Sequence, residues 1–226
     1  MTDFISQVPD IRAVLFDSGG VLMRPVGGRW NPRADFEETV SRHMPSITPE
    51  RFAEAIAVGD RFLAEAAGTP DRDDYHRVLL GELGVRPAPE LLAALRREVP
   101  PAVMLELYPD VLPTLAELKR RGIRLAVVSD AWPDLPELHE GLGIRGYFEV
   151  YAISAVLGRE KPDPRMYHHA SEGLGLDPAH CLFVDDTPAL VTAALALGYE
   201  GRFLDREGTG STVPSISSLR ELSALV

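Results

Sequence analysis

The chain has 226 residues, enough for one large domain or for a core domain that carries a smaller insertion. Its 45% hydrophobic and 25% charged residues are ordinary for a globular protein. Lys and Arg number 23 against 34 Asp and Glu, a formal net charge of −11, which speaks against a nucleic-acid or anionic-membrane partner but leaves room for an anionic substrate held by a metal and a few placed cations.

From the amino end, MTDFISQVPD has neither a basic start nor an apolar stretch, and no later run approaches the ~18 apolar residues of a membrane span. Neither a signal peptide nor a membrane partner is expected. Residues 11–16 (IRAVLF) are apolar and β-branched, a strand buried on both faces. Helical periodicity then fills residues 25–106, in segments 34–43, 49–66, 71–83 and 87–99, with no strand signal among them. Thr48-Pro49-Glu50 reads as a helix start and Gly84 as a stop.

After Tyr108-Pro109-Asp110 strands and helices alternate. A helix at 111–121, ended by Gly122, leads into a buried strand at 123–128; a short helix at 137–142 precedes a strand at 150–154. A helix at 164–174, a strand at 181–184, a helix at 188–197, a weak strand at 202–204 and a helix at 217–224 complete the series, with 208–218 an exposed Gly-, Ser- and Thr-rich loop. Cys181 is the single cysteine, so no internal disulfide can form and a reducing cytoplasm is the expected location. Alternation of this kind predicts an α/β, Rossmann-like parallel sheet formed by residues 1–24 and 107–226, interrupted after its first strand by an all-helical insertion, 25–106.

Sheets of this type hold ligands at the carboxyl ends of their strands. Asp17 ends the first strand, Ser129 the second and Asp185-Asp186 the fourth, while Lys161 lies in the GREKPDP loop after the third. The set suits phosphoryl chemistry. Asp17 can attack phosphorus and split one hard displacement into two easier ones. Asp17, Asp185 and Asp186 offer hard oxygen ligands for Mg²⁺. Ser129 can donate to a phosphoryl oxygen, and Lys161 can neutralise charge between phosphate and carboxylates whose repulsion would raise their pKa values. Each has a plainer reading when taken singly: Asp17 and Ser129 as turn residues, Lys161 as a solvated lysine, Asp185-Asp186 as a helix N-cap. Their occurrence together, at successive strand ends, points to chemistry.

VLFDSGGVL, LAVVSD, the GREKPDP loop and LFVDDTPALVTAA together resemble the haloacid dehalogenase superfamily of aspartate-nucleophile hydrolases and phosphatases, over nearly the whole chain. The resemblance implies Asp17 as nucleophile, Ser129 as the phosphoryl-binding hydroxyl and Lys161 as the stabilising lysine. It implies Mg²⁺ bound by Asp17, Asp186, the Gly19 carbonyl and, directly or through water, Asp185. Residues 25–106 would be the helical first-position cap, and a small phosphorylated metabolite such as a sugar phosphate the substrate. Neither the substrate nor the oligomeric state is written in these motifs.

The departure is Gly19. The family's phosphatases usually place there an aspartate that protonates the leaving group and then activates water. Glycine keeps the metal-binding carbonyl, lets the loop turn sharply and removes general acid–base help worth about 10²–10⁴-fold. Two rival readings follow: a non-catalytic phospholigand-binding protein, and a 2-haloacid dehalogenase-type hydrolase, whose relatives also lack that aspartate but typically lack the paired acids at the fourth strand end. A related minority with glycine here resembles sugar-phosphate phosphatases, which keeps the enzyme reading ahead. Asp130, where asparagine is common in the family, is a further substrate-binding candidate, either a substitute acid or a turn residue. His43 and His76 read as surface or packing residues, adjacent His168 and His169 as a poor metal pair, and Trp132 as a crevice-mouth or packing residue.

Overall fold

The computed structural model describes residues 10–96 and 99–226. The amino-terminal stretch 1–9 and residues 97–98 of the expected 87–99 helix lie outside the described residues. The chain divides into two compact units, one formed by residues up to Met23 together with Leu107–Val226, the other by Arg24–Glu106.

In chain order, β1 (Ala13–Phe16) and β2 (Met23–Pro25) precede α1 (Phe36–Ser41), α2 (Pro49–Glu65), α3 (Arg72–Glu82), α4 (Pro89–Arg96), α5 (Pro101–Met104) and β3 (Leu105–Leu107). Then follow α6 (Val111–Arg120), β4 (Arg124–Ser129), α7 (Leu135–Gly141), β5 (Val150–Ile153) and α8 (Ser154–Leu157). The chain continues through α9 (Pro164–Gly173), β6 (Cys181–Asp185), α10 (Pro188–Ala196), β7 (Glu200–Leu204) and β8 (Ser215–Ile216). The first unit is built on a six-stranded sheet of order β5-β4-β1-β6-β7-β8, with every neighbouring pair parallel. This is the α/β, Rossmann-like architecture expected from the alternating pattern. Ala13, Leu15, Ala126, Val128, Phe183 and their neighbours on α9 and α10 form its core, with Phe183 edge-on to Tyr167 at 5.1 Å. Among the described residues no helix is long and apolar enough to cross a membrane.

Four local expectations change. The 25–106 segment is bounded by strands rather than strand-free: β2 pairs with β3, Val26 N–H donates to the Met104 carbonyl, and Arg24 bridges Glu106 at 2.7 Å. Strands of three residues carry no readable period. The single-turn helices α5 and α8 were too short to show periodicity for the same reason. β8 lies inside the expected 208–218 loop, where its two residues gain strand geometry only by pairing with β7. The terminal helix begins at Leu219 and is a 3₁₀ helix, capped by the reciprocal Ser218–Glu221 bonds.

Asp110, 6% exposed, ties distant segments of the first unit together. Its carboxylate accepts two Arg206 bonds of 3.0 Å, the Ser218 hydroxyl at 2.9 Å and the Leu219 N–H at 2.9 Å. Arg206 also donates to the Val21 carbonyl at 2.9 Å and lies 3.9 Å over the Tyr108 ring. Burial alone would raise the Asp110 carboxyl, but Arg206 and the two other donors hold it below its ordinary value. Arg206→Ala strips a buried carboxylate of its cation and is expected to cost about 3 kcal/mol in urea denaturation. A loss under about 0.5 kcal/mol would place the pair among ordinary surface bridges.

In the Arg24–Glu106 unit, Thr48 caps α2 by accepting the Arg51 N–H, and Pro49 occupies the first turn, as the sequence predicts. Phe36, Phe52, Tyr75, Leu79, Leu80 and Leu91 fill the core. α2 lies so close to α3 that a Cβ at Gly59 would sit 2.6 Å from a Leu79 methyl and 2.9 Å from the Tyr75 ring. His76, 5% exposed, stacks on Phe36 at 6.4 Å and 10°, and its Nδ1 has no hydrogen-bond partner among the described residues. Its role is packing. Burial pushes its pKa down from 6.5 to about 4. Below pH 6.5 the unfolded chain takes up this proton and the folded chain does not, so stability falls with acidification until the folded group protonates near 4. By about pH 5 the loss is about 2 kcal/mol. Urea denaturation at about pH 7.5 and about pH 5 checks this, because His76→Leu should lose less stability than wild type across that interval.

Candidate active site

β1 lies between β4 and β6, so the chain's direction of progression across the sheet reverses on either side of Asp17. Phe16 is level with Val127 of β4 and Val184 of β6, and the Asp17 N–H donates to the Val184 carbonyl at 2.9 Å. This register sets Asp17 beside Asp185, the last residue of β6, while Ser129 ends β4 on the other side. Asp17, Ser129 and Asp185 are buried, at 7%, 4% and 1% exposure, whereas Asp186 is exposed.

The Lys161 ammonium donates to Asp17 Oδ1 and to Asp185 Oδ2, both at 2.7 Å. Asp185 Oδ1 accepts the Thr187 N–H at 2.8 Å, so this residue serves the turn into α10 and the site together. Asp17, Asp185 and Asp186 each present a carboxylate oxygen within 4.8 Å of the others. Asp130 accepts the Lys161 backbone N–H at 3.0 Å, which gives it the turn-fixing contact. Asp17, Lys161, Asp185, Asp186 and Asp130 are thus gathered by direct contacts or close approach, and Ser129 and Gly19 by their place on the same strand ends.

One cation between two carboxylates leaves a negative surplus. Burial alone would lower the Lys161 pKa, but Asp17 and Asp185 reverse this and hold the ammonium above its ordinary value. For Asp185 the balance goes the other way: burial and the Asp17 charge raise its carboxyl despite Lys161. Partial desolvation and Asp17 raise Asp186 as well. A hard divalent cation would relieve this excess, and three carboxylates with free or shareable oxygens match the all-oxygen ligand preference of Mg²⁺.

The sharp turn belongs to Gly20, not to Gly19. Gly20 has φ +75°, and a Cβ there would lie 1.9 Å from Asp186 Oδ2, so a side chain at this turn would strain the backbone and displace that carboxylate. Gly19 is not among the glycines at positive φ. Its glycine is therefore not demanded by backbone conformation.

Two of the other flagged histidines make structural contacts. His43 is exposed with Nδ1 3.1 Å from the Thr39 carbonyl, and His168 Nδ1 lies 3.1 Å from the Tyr199 hydroxyl. His169 is exposed and Trp132 half-buried. The motifs gave no sign of Ser18, which is buried at 1% exposure and bonded at 2.8 Å to His139, 121 positions away. Asp17 and Gly19, on either side of it, are the residues of that loop that the motif singles out.

Known proteins resemble this chain in sequence or in fold. Phosphatase MT3486 of Mycobacterium tuberculosis is 28% identical over 217 residues, covering 92% of this chain and 95% of its own length. A haloacid dehalogenase-type phosphatase structure from Thermococcus onnurineus superposes with a TM-score of 0.64 at 23% identity, over 95% of this chain and 97% of that one. The L-2-haloacid dehalogenase of Xanthobacter autotrophicus, solved with chloropropionic acid covalently bound, gives 0.62 at 23% identity, over 95% and 98% of the two chains. At such identities the two structures speak for the fold alone. The model of haloacid dehalogenase-like hydrolases matches residues 11–198, which includes all four strand-end motifs, and the chain belongs to that hydrolase family.

Proposed function

We propose that the protein is a Mg²⁺-dependent phosphatase acting on a small phosphorylated metabolite through an aspartyl-phosphate. The observation that carries this reading is the pair Asp185-Asp186 beside Asp17 and Lys161, a ligand set suited to metal-assisted phosphoryl transfer. The similarity to a phosphatase over most of both chains supports it.

Asp17 is the nucleophile. One of its carboxylate oxygens attacks phosphorus, the P–O bond to the ester oxygen breaks, and the leaving alkoxide takes a proton from solvent water, because Gly19 has none to give. Water then attacks the acyl-phosphate, releasing phosphate and restoring the Asp17 carboxylate. Lys161 orients Asp17 and, with Ser129, offsets the charge on the phosphoryl oxygens; Asp130 holds the loop that carries Lys161. Asp17, the Gly19 carbonyl, Asp185 and Asp186 would hold Mg²⁺, which supplies positive charge against the phosphoryl group. In this reading the Arg24–Glu106 unit is the cap that selects the substrate.

A panel of phosphorylated metabolites, assayed with and without Mg²⁺ and with a chloroacid control, tests this. Phosphate release that vanishes on chelation is the expected result. Halide release from the chloroacid would move the assignment to dehalogenation. Phosphate binding without turnover would move it to the ligand-binding reading, which the missing carboxylate at Gly19 favours.

A further inference from the structure

Behind Asp17 runs a buried hydrogen-bonded chain that the chemistry above does not use. The Ser18 hydroxyl lies 2.8 Å from His139 Nε2, and His139 Nδ1 lies 2.9 Å from the Tyr151 hydroxyl. His139, on α7, is fully buried at 0% exposure and packs on Phe148 at 5.6 Å. Tyr151, on β5, is half-buried beneath the Arg145 guanidinium, 4.7 Å from its ring centroid.

A neutral imidazole has one donor and one acceptor nitrogen, and here each meets a hydroxyl able to play the opposite part. Burial, helped by the Arg145 charge, pushes the His139 pKa down to about 3, so the ring stays neutral. Burying a polar ring costs free energy unless its bonds are made, and an apolar side chain would fill the space without that demand. The distinguishing feature is what the bond holds. Ser18 is the pivot of the turn that follows Asp17: its carbonyl accepts the Leu22 N–H at 2.9 Å and the Met23 N–H at 3.1 Å, while the Gly20 N–H donates to the Met23 carbonyl at 2.9 Å. Backbone bonds close the turn on itself, and Arg206 and the Tyr108 N–H hold its far end at the Val21 and Leu22 carbonyls; the bond to His139 ties down its near end, next to Asp17.

We propose that His139 is a positioning residue, which through the Ser18 hydroxyl fixes the loop presenting the Asp17 carboxylate and the Gly19 carbonyl, with Tyr151 fixing the ring in turn. The inference rests on the phosphatase reading for its kinetic readout. Misplacing a reacting group by about 1 Å can cost about 10²-fold in rate. Ser18→Ala and His139→Leu, each shown to be folded, are therefore expected to lower kcat on an aryl phosphate by about 10- to 100-fold with KM nearly unchanged. The double variant should be no slower than the worse single one, because both break the same link. His139→Gln, whose amide can replace Nε2 toward Ser18, should recover kcat to within about threefold of wild type. Packing alone predicts a different pattern, in which losses appear in thermal stability and kcat of the folded variants stays within about twofold. That result, or losses that multiply in the double variant, would overturn the inference.

Hydrogen exchange separates this test from the phosphatase assignment, since it needs neither substrate nor metal. If wild type turns over no phosphate ester, the phosphatase reading fails and the exchange rates decide. Amides of Gly20, Leu22 and Met23 should exchange at least about tenfold faster in Ser18→Ala and His139→Leu. Unchanged protection in both variants would remove the positioning role.

Discussion

Asp17→Asn is expected to lower aryl-phosphate turnover by at least about 10⁴-fold while leaving the protein folded and no less stable. The rate loss follows from chemistry, because an amide oxygen cannot form the acyl-phosphate, and removing a nucleophile that works as part of a unit costs as much as losing the unit. The stability expectation comes from the charges. Asp17 and Asp185 share the Lys161 ammonium, and Asp17 is among the groups that raise the Asp185 carboxyl. Neutralising position 17 removes that repulsion and leaves Lys161 fully paired with Asp185. Sites built for chemistry often carry such tension, which is released when the functional group is removed. Steady-state kinetics and thermal melting in metal-free buffer, run on the same preparations, check both halves. Residual turnover above about 1% of wild type, once contaminating phosphatase is excluded, would mean that Asp17 is not the nucleophile. A marked fall in melting temperature would mean that the Asp17–Lys161 pair stabilises the fold more than the like charges strain it.

The parts of the fold that could be read in advance are those whose signal is local. AVLF, RLAVVS and CLFVD are apolar, β-branched runs that become β1, β4 and β6, buried on nearly every residue, and helices between them enforce a parallel sheet. The polar residue ending each run then has to emerge at one edge of the sheet, which is why Asp17, Ser129 and Asp185 could be grouped from spacing alone. β2, β3 and β8 were hidden because two or three residues show no alternation, and they become strands only through the partner they find.

The Ser18–His139 bond was hidden for another reason. A histidine among Leu, Glu and Gly on a short helix has no periodicity that marks it, and its partner lies 121 positions away. Such a contact exists only once folding brings α7 to the loop after β1. Two consecutive glycines similarly conceal which one bears the turn. Position in a motif pointed to Gly19, while the backbone angle and the 1.9 Å approach to Asp186 assign the conformational need to Gly20.

That assignment makes Gly19→Asp a feasible experiment. Since Gly19 lacks the positive φ that penalises a side chain, the backbone itself does not oppose aspartate there. If the wild-type enzyme works without a general acid, its rate depends on the leaving group, and aryl phosphates turn over much faster than alkyl phosphates, whose alkoxides need a proton. Gly19→Asp is then expected to raise alkyl-phosphate turnover by about 10²–10⁴-fold while changing aryl-phosphate turnover little. A further carboxylate near Asp17, Asp185 and Asp186 would have its pKa raised by their charge, and a carboxyl kept protonated near neutral pH is what an acid catalyst requires. The same repulsion opposes the substitution, so both proteins must first be shown to fold and to bind Mg²⁺ by calorimetry. Comparable wild-type rates on the two ester types, with no gain in the variant, would show that a proton donor already exists elsewhere. Asp130 is the residue to test next in that case. Its carboxyl is raised by partial desolvation, and its Oδ1 accepts the Lys161 N–H. Loss of alkyl-ester turnover in Asp130→Asn, with aryl-ester turnover kept, would transfer the acid's role to it and end the reading of Gly19 as a catalytic deficit.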